Sequence, residues 1–270
     1  MQSETHRQII SWYIRFDLFA GMMSGGETVL GREWFAACED FYRKQSRERP
    51  NEIGCKFQEW FSTTRLLATD VALLFANKAK GMEEEQFVAE LRKLNDQFDR
   101  LGHTLETTFT DPSCFVKDFP RAPPPNPDDI TDYRDPNFLY REDMYPHNYV
   151  LIDFWAIEMM FRFQSLSAQR LPPSAELTTI ALNQCKMFEA VEYSNDGPEG
   201  KILGCQASLG IASLFLPKDT KHTDWMRKKF ALIEQNGYVP EQPLYPKPPA
   251  PTNPPPLCQA TSTPPPSANV

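Results

Sequence analysis

Apolar residues recur along most of this chain at steps of three and four, the spacing of one helix face. No strand-rich region and no internal repeat stands out. The clearest seam is Phe57, Trp60, Phe61, Thr64, Leu67, Ala68, Val71, Leu74 and Phe75, and Gly81 closes it. The next begins near Glu83, where acidic residues favour a helix N-terminus. Its apolar positions are Phe87, Leu91, Leu94, Phe98, Leu101 and Leu105, alternating steps of four and three. That is a period near 3.5. The two seams are expected to pair as an antiparallel helical hairpin; the sharper alternative is a dimer seam along the second. Further helices are predicted over 6–23, 32–45, 149–163, 174–193, 201–215 and 222–235, with Ser174 as an N-cap.

The helix predicted over 6–23 is apolar nearly all round, through Ile9, Ile10, Trp12, Tyr13, Ile14, Phe16, Leu18, Phe19 and Ala20. Such a helix is expected to be buried on most faces, centrally or against a partner. Arg15 and Asp17 then need partners, because unpaired buried charge is costly. They stand two residues apart and do not face each other. Arg32 or Glu33, across the turn Ser24-Gly25-Gly26, is the candidate third party.

Two stretches cannot be continuous helix. Residues 111–147 hold Pro112, Pro120, Pro123, Pro124, Pro125, Pro127, Pro136 and Pro146 and read as a linker or excursion. From Val239 onward, 12 of 32 residues are proline, so this tail is expected to bury no core and to be disordered or polyproline II. The expected fold is therefore all-α. One domain of about eight helices spans 5–238, with a Pro-rich connector at 111–147 and a Pro-rich tail at 239–270.

Composition narrows the function. The chain has 270 residues, 41% of them hydrophobic, enough for one sizeable core. A net charge of −8 argues against a module that grips phosphate backbones by itself. The short basic clusters, Arg43-Lys44 with Arg47 and Arg49, and Arg227-Lys228-Lys229, read as solvated helix ends. The six cysteines, at 38, 55, 114, 185, 205 and 258, include no C-x-x-C pair and no metal-ligand spacing. They read as reduced thiols of an intracellular protein. The apolar run Ile9 to Met23 carries Arg15 and Asp17 and falls short of the ~20 residues a bilayer crossing needs.

No complete catalytic motif is present. Asp128-Asp129-Ile130-Thr131-Asp132 matches the D-D-x-x-D pattern with which prenyl and terpene synthases hold magnesium and a diphosphate, since hard cations want clustered carboxylates. It lies in the connector rather than on a cavity-facing helix. No second aspartate-rich motif accompanies it, so it reads as a solvated loop. Gln206-Ala-Ser208-Leu-Gly210 misses the first glycine of a nucleophile elbow and sits in a predicted helix, which makes Ser208 a packing residue. His6, His103, His147 and His222 are dispersed, none with a glutamate three residues earlier. Gly197-Pro-Glu-Gly200-Lys201 lacks the spacing of a phosphate-binding loop and reads as a turn before a helix.

One stretch is more specific than its periodicity, and two others support it. Trp12-Tyr13-Ile14-Arg15-Phe16-Asp17-Leu18-Phe19-Ala20-Gly21 with Gly26-Glu27-Thr28-Val29-Leu30-Gly31-Arg32-Glu33-Trp34-Phe35 resembles the regulatory domain of fungal zinc-cluster transcription factors. Gln206 to Asp219, followed by Trp225 and Arg227-Lys228-Lys229-Phe230, is similar to the same family, as is Tyr149 to Phe163. The resemblance covers roughly residues 5–238. It implies a helical domain that regulates an N-terminal zinc-cluster DNA-binding module through effector binding, partner contacts or self-inhibition, in the nucleus, on RNA polymerase II genes. The closely spaced zinc-cluster cysteines are missing here. Zinc is thus expected only with an upstream cluster, and no DNA contact from this chain alone.

The resulting expectation is a non-enzymatic regulatory domain. It has no cofactor, metal or membrane contact of its own. Its partners are the transcription machinery, a second copy of the chain or a small-molecule effector. Trp12, Arg15, Phe16, Asp17, Glu27, Arg32, Glu33 and Trp34 form its structural motif, with Arg15, Asp17, Arg32 and Glu33 locking the turn by charge-assisted bonds. The alternatives are a stand-alone interaction or dimerisation protein, and a magnesium-dependent synthase-like enzyme using Asp128, Asp129 and Asp132.

Overall fold

The computed structural model describes residues 9, 10, 13, 14, 16–18, 20, 21, 28–126 and 128–237. Those described between 9 and 21 are all helical. Seven α-helices follow: α1 (Arg32–Glu48), α2 (Ile53–Ala79), α3 (Glu84–Thr107), α4 (Pro146–Ala168), α5 (Ala175–Tyr193), α6 (Gln206–Ser213) and α7 (Thr220–Gln235). Short 3-10 turns occupy Pro112–Cys114, Glu142–Met144 and Lys201–Cys205. The protein is all-α; among the described residues the one extended pairing is an isolated antiparallel bridge between Phe115 and Tyr140. No helix among them is long and apolar enough to cross a membrane. The expected disordered tail, 239–270, lies outside the described residues.

The helix at the centre is α4. It is apolar on every side, from Val150-Leu151-Ile152 through Met159-Met160-Phe161, and it packs against α2, α3, α5 and α6. Pro146 starts it three residues earlier than the periodicity suggests, at the first-turn position where a missing N–H costs nothing. Its polar positions are bonded across to neighbours. The Asp153 carboxylate lies 3.8 Å from Arg65 of α2. Arg162 reaches Glu158 at 2.7 Å, Glu176 of α5 at 3.4 Å and Asp99 of α3 at 3.5 Å. Burial raises the pKa of Glu158, and Arg162 opposes that shift.

The hairpin of α2 and α3 forms as expected, and Gly81 turns it with φ of +99°. All six seam residues, Phe87 to Leu105, are buried within this one chain; Phe98 stacks on Phe161 of α4 with ring centroids 4.6 Å apart. The seam is thus occupied intramolecularly and presents no dimer surface.

Two expectations need correction. The segment 9–21 is not surrounded: Ile14, Asp17 and Leu18 face inward, while Ile9, Tyr13 and Phe16 are 58%, 41% and 49% exposed. A helix lying on the domain surface buries one face whatever its composition, and the fully enclosed position belongs to α4. Nor is 111–147 a loose excursion. Phe115, Val116, Tyr133, Leu139 and Tyr140 are buried in the core. The amide of Val116 bonds Leu139 at 2.7 Å and that of Arg141 bonds Cys114 at 2.9 Å. Asn148, fully buried in α4, accepts the Tyr140 N–H and donates to the carbonyls of Tyr140 and Tyr145. One side chain thereby meets the connector's backbone as a strand would.

Candidate functional site

Two residues of the motif near the start, Asp17 and Arg32, make bonds between elements. The Asp17 carboxylate, 7% exposed, accepts the backbone N–H groups of Val29 at 2.7 Å and Leu30 at 2.9 Å. It thus ties the helical segment to the chain entering α1. Arg32 grips Asp70 of α2 with a two-pronged bond, Nε to Oδ1 at 2.5 Å and Nη2 to Oδ2 at 3.0 Å. The expectation that Arg32 or Glu33 partners Asp17 is therefore corrected: backbone amides take that place, and Arg32 turns to the next helix. Glu33 is exposed and folds its carboxylate back over Gly31. Trp34 and Phe16 are also part-exposed. Trp12, Arg15 and Glu27 lie outside the described residues.

A second cluster joins the connector, α5 and α7 around Glu189, which is 3% exposed. Its Oε2 accepts the Thr131 hydroxyl at 2.6 Å; its Oε1 accepts the Trp225 indole N–H at 2.9 Å and the Lys229 ammonium at 2.9 Å. Lys229 also donates to Glu192 at 2.7 Å and to the Tyr193 hydroxyl at 3.4 Å. Its Nζ lies 5.0 Å from the Tyr193 ring and 5.3 Å from that of Trp225, close enough for cation–π attraction. Burial pushes the Lys229 pKa down, but the two carboxylates outweigh it and hold the pKa above the ordinary lysine value. This amine stays protonated and is no nucleophile. The basic cluster at 227–229 is thus corrected in part: Lys229 is a buried counter-ion, 6% exposed, and not a solvated helix end.

Over this network opens a cleft of about 650 Å³, within the size range of small-ligand sites. One face of α7 runs along it through Lys221, Asp224, Trp225, Lys228 and Leu232. Glu192 and Tyr193 of α5 and Asn126, Asp128 and Asp129 of the connector close the other sides. Two aspartates of the D-D-x-x-D segment therefore do face a cavity. Two of the segment's three carboxylates also serve its own loop. Asp129 accepts the Asn126 N–H at 3.1 Å, and Asp132 turns away to accept the Arg134 N–H at 3.1 Å. The segment's anchor is the half-buried Thr131. Among the described residues, no group of three or more His, Cys, Asp or Glu side chains is placed to hold a metal ion. Ser208 is fully buried in α6, its hydroxyl without a hydrogen-bond partner.

Sequence reasoning missed Glu189 and Thr131. Their signal was faint: Glu189 sits in an otherwise apolar helix face, Met187-Phe188-Glu189-Ala190-Val191, where an isolated acid needs a buried cation.

The fold and this site define the protein's class: an all-α domain with a charged cleft between its last helix and its connector. Compared with known proteins, the chain finds no match: no family model, no curated protein and no solved structure is similar to it.

Proposed function

We propose that this chain is a regulatory domain of the fungal zinc-cluster type, acting on RNA polymerase II transcription through protein contacts and a bound effector rather than through catalysis. The observation that carries this reading is the Asp17 bond pair to Val29 and Leu30. Asp17 lies in the stretch behind the resemblance, and its bonds join helix to loop, the role expected of a family signature without chemistry of its own. Arg32 on Asp70 supports the same role. The paired state of Lys229 removes the most deeply placed amine as a catalytic group.

Tethering the full chain to a heterologous DNA-binding domain in a yeast reporter strain tests it. Reporter output should depart from that of the DNA-binding domain alone, up or down, and a fluorescent fusion should concentrate in the nucleus. The purified chain, at −8, should not retard duplex DNA at moderate salt. Reporter output equal to that of the DNA-binding domain alone would refute the proposal.

A further inference from the structure

We propose that the cleft between α5, α7 and the connector binds a small amphipathic zwitterion: a free α-amino acid or short unblocked peptide with an apolar side chain. Asp128 takes its ammonium and Lys228 its carboxylate.

The inference comes from which charges in the cleft are already matched. Glu189 and Glu192 share Lys229. Asp224 lies 3.3 Å from Arg227. Asp129 accepts a backbone N–H. Among the described residues, by contrast, the Asp128 carboxylate and the Lys228 ammonium make no hydrogen bond and no ion pair, with each other or with any other group. They sit on different elements, Asp128 on the connector and Lys228 on α7, yet line the same cleft. The cleft therefore offers an unpaired carboxylate on the connector and an unpaired ammonium on α7, beside acidic groups already engaged in ion pairs or hydrogen bonds. A simple anion would meet Asp128 and the two glutamates; a simple cation would meet Lys228 and Lys221. A molecule carrying both charges meets each with its opposite. Trp225, Tyr193 and Leu232 supply apolar surface for the rest of the ligand. Trp225's N–H and Thr131's hydroxyl are already held by Glu189, so they do not compete as donors.

Because both charged contacts are open to water, affinity should be modest, with Kd near or below ~1 mM, and each contact should be worth roughly two- to fivefold. The test is calorimetric titration of the full chain with L-phenylalanine and, in a second arm, L-leucyl-L-phenylalanine; the tighter arm identifies the source. N-acetyl-L-phenylalanine lacks the ammonium and L-phenylalaninamide lacks the carboxylate, and each should bind roughly two- to fivefold more weakly. Asp128→Asn should abolish the preference for a free ammonium, and Lys228→Gln that for a free carboxylate. Both positions are exposed, so neither change threatens the fold. The proposal is overturned if neither unblocked probe saturates at millimolar concentration. It is equally overturned if blocked probes bind as well, or if the two variants bind like the parent. Binding is read without a reporter: a chain that binds the zwitterion but leaves the tethered reporter unmoved would defeat the regulatory reading and leave this one standing.

Discussion

His147 should make this protein's stability fall as the solution is acidified from neutral pH. It sits in the first turn of α4 with no solvent exposure. Its Nε2–H donates to the Leu105 carbonyl at 2.8 Å, satisfying one of the orphan carbonyls of the last turn of α3. Phe57, Trp60, Phe109 and Tyr140 surround the ring at centroid distances of 4.7 to 5.7 Å, and none of them is charged in this pH range. Its Nδ1 has no partner. Burial lowers the His147 pKa from 6.5 to about 4. Between those values the unfolded chain binds the extra proton, so stability present above pH 6.5 is lost as pH falls towards 4. The full loss is about 3 kcal/mol at ~1.4 kcal/mol per pK unit. The assay is urea unfolding, followed by circular dichroism, of the parent and of His147→Phe, whose ring suits the aromatic surroundings. Work at about pH 7 and about pH 5.5 stays above the pI of about 5.1, where loss of net charge favours association. The parent should be the more stable at pH 7, because the variant strands the Leu105 carbonyl. Its advantage should shrink by roughly 1 kcal/mol at pH 5.5. Carboxylate titrations common to both chains cancel in this difference. An advantage that stays constant or grows on acidification would refute the reasoning.

Other perturbations test other parts of the fold. Lys229→Met strands the buried Glu189 carboxylate and the half-buried Glu192 and should cost about 3–5 kcal/mol by chemical denaturation. In the parent the raised Lys229 pKa gives the alkaline sign: its contribution is complete below the unfolded value of 10.5 and is lost as pH rises through the folded one. Gly197 has φ of +89°, and a Cβ there would overlap the Tyr145 ring. Gly197→Ala should therefore lower the melting temperature by more than the roughly 1 kcal/mol of a left-handed backbone alone. Gly54→Ala, in the first turn of α2 with open space around it, should raise stability by up to about 1 kcal/mol. Leu94→Glu places a charge at a seam position 5% exposed. Scattering and circular dichroism should show loss of the folded state, not conversion of a folded dimer to a folded monomer.

Where one face of a helix is apolar and the other polar, the pattern names the element, its length and its inward side together. This is why α2 and α3 stand where their seams put them. The periodicity fails for helices apolar all round, because it then carries no direction. The segment 9–21 and α4 look alike by that measure, yet α4 is enclosed by four neighbours and the first exposes Ile9, Tyr13 and Phe16. Which of the two lies inside depends on how many other faces must be covered, a property of the whole packing. The connector shows the converse: eight prolines do exclude helix, but they do not exclude burial. Leu139 and Tyr140 are nearly inaccessible, and the Val116 N–H and the Asn148 side chain supply them with backbone bonds that a helix or sheet would otherwise provide.

The site was legible only in fragments for a related reason. Asp128 and Asp129 attracted notice as a carboxylate cluster, yet the residue that fixes their loop is Thr131, through a single hydroxyl bond to Glu189, 58 residues further on. Lys229, read as one of three surface cations, is the member of that run whose helical position turns it inward, four residues after Trp225 and beside the same carboxylate. Charge clusters in a sequence register composition, while function depends on which charges remain unmatched after folding. Here folding gathers Glu189 and Glu192 onto Lys229 and leaves Asp128 and Lys228 facing one cleft without partners among the described residues. That residue of unmatched charge gives the cleft its polarity, and it arises only when the connector closes over α5 and α7.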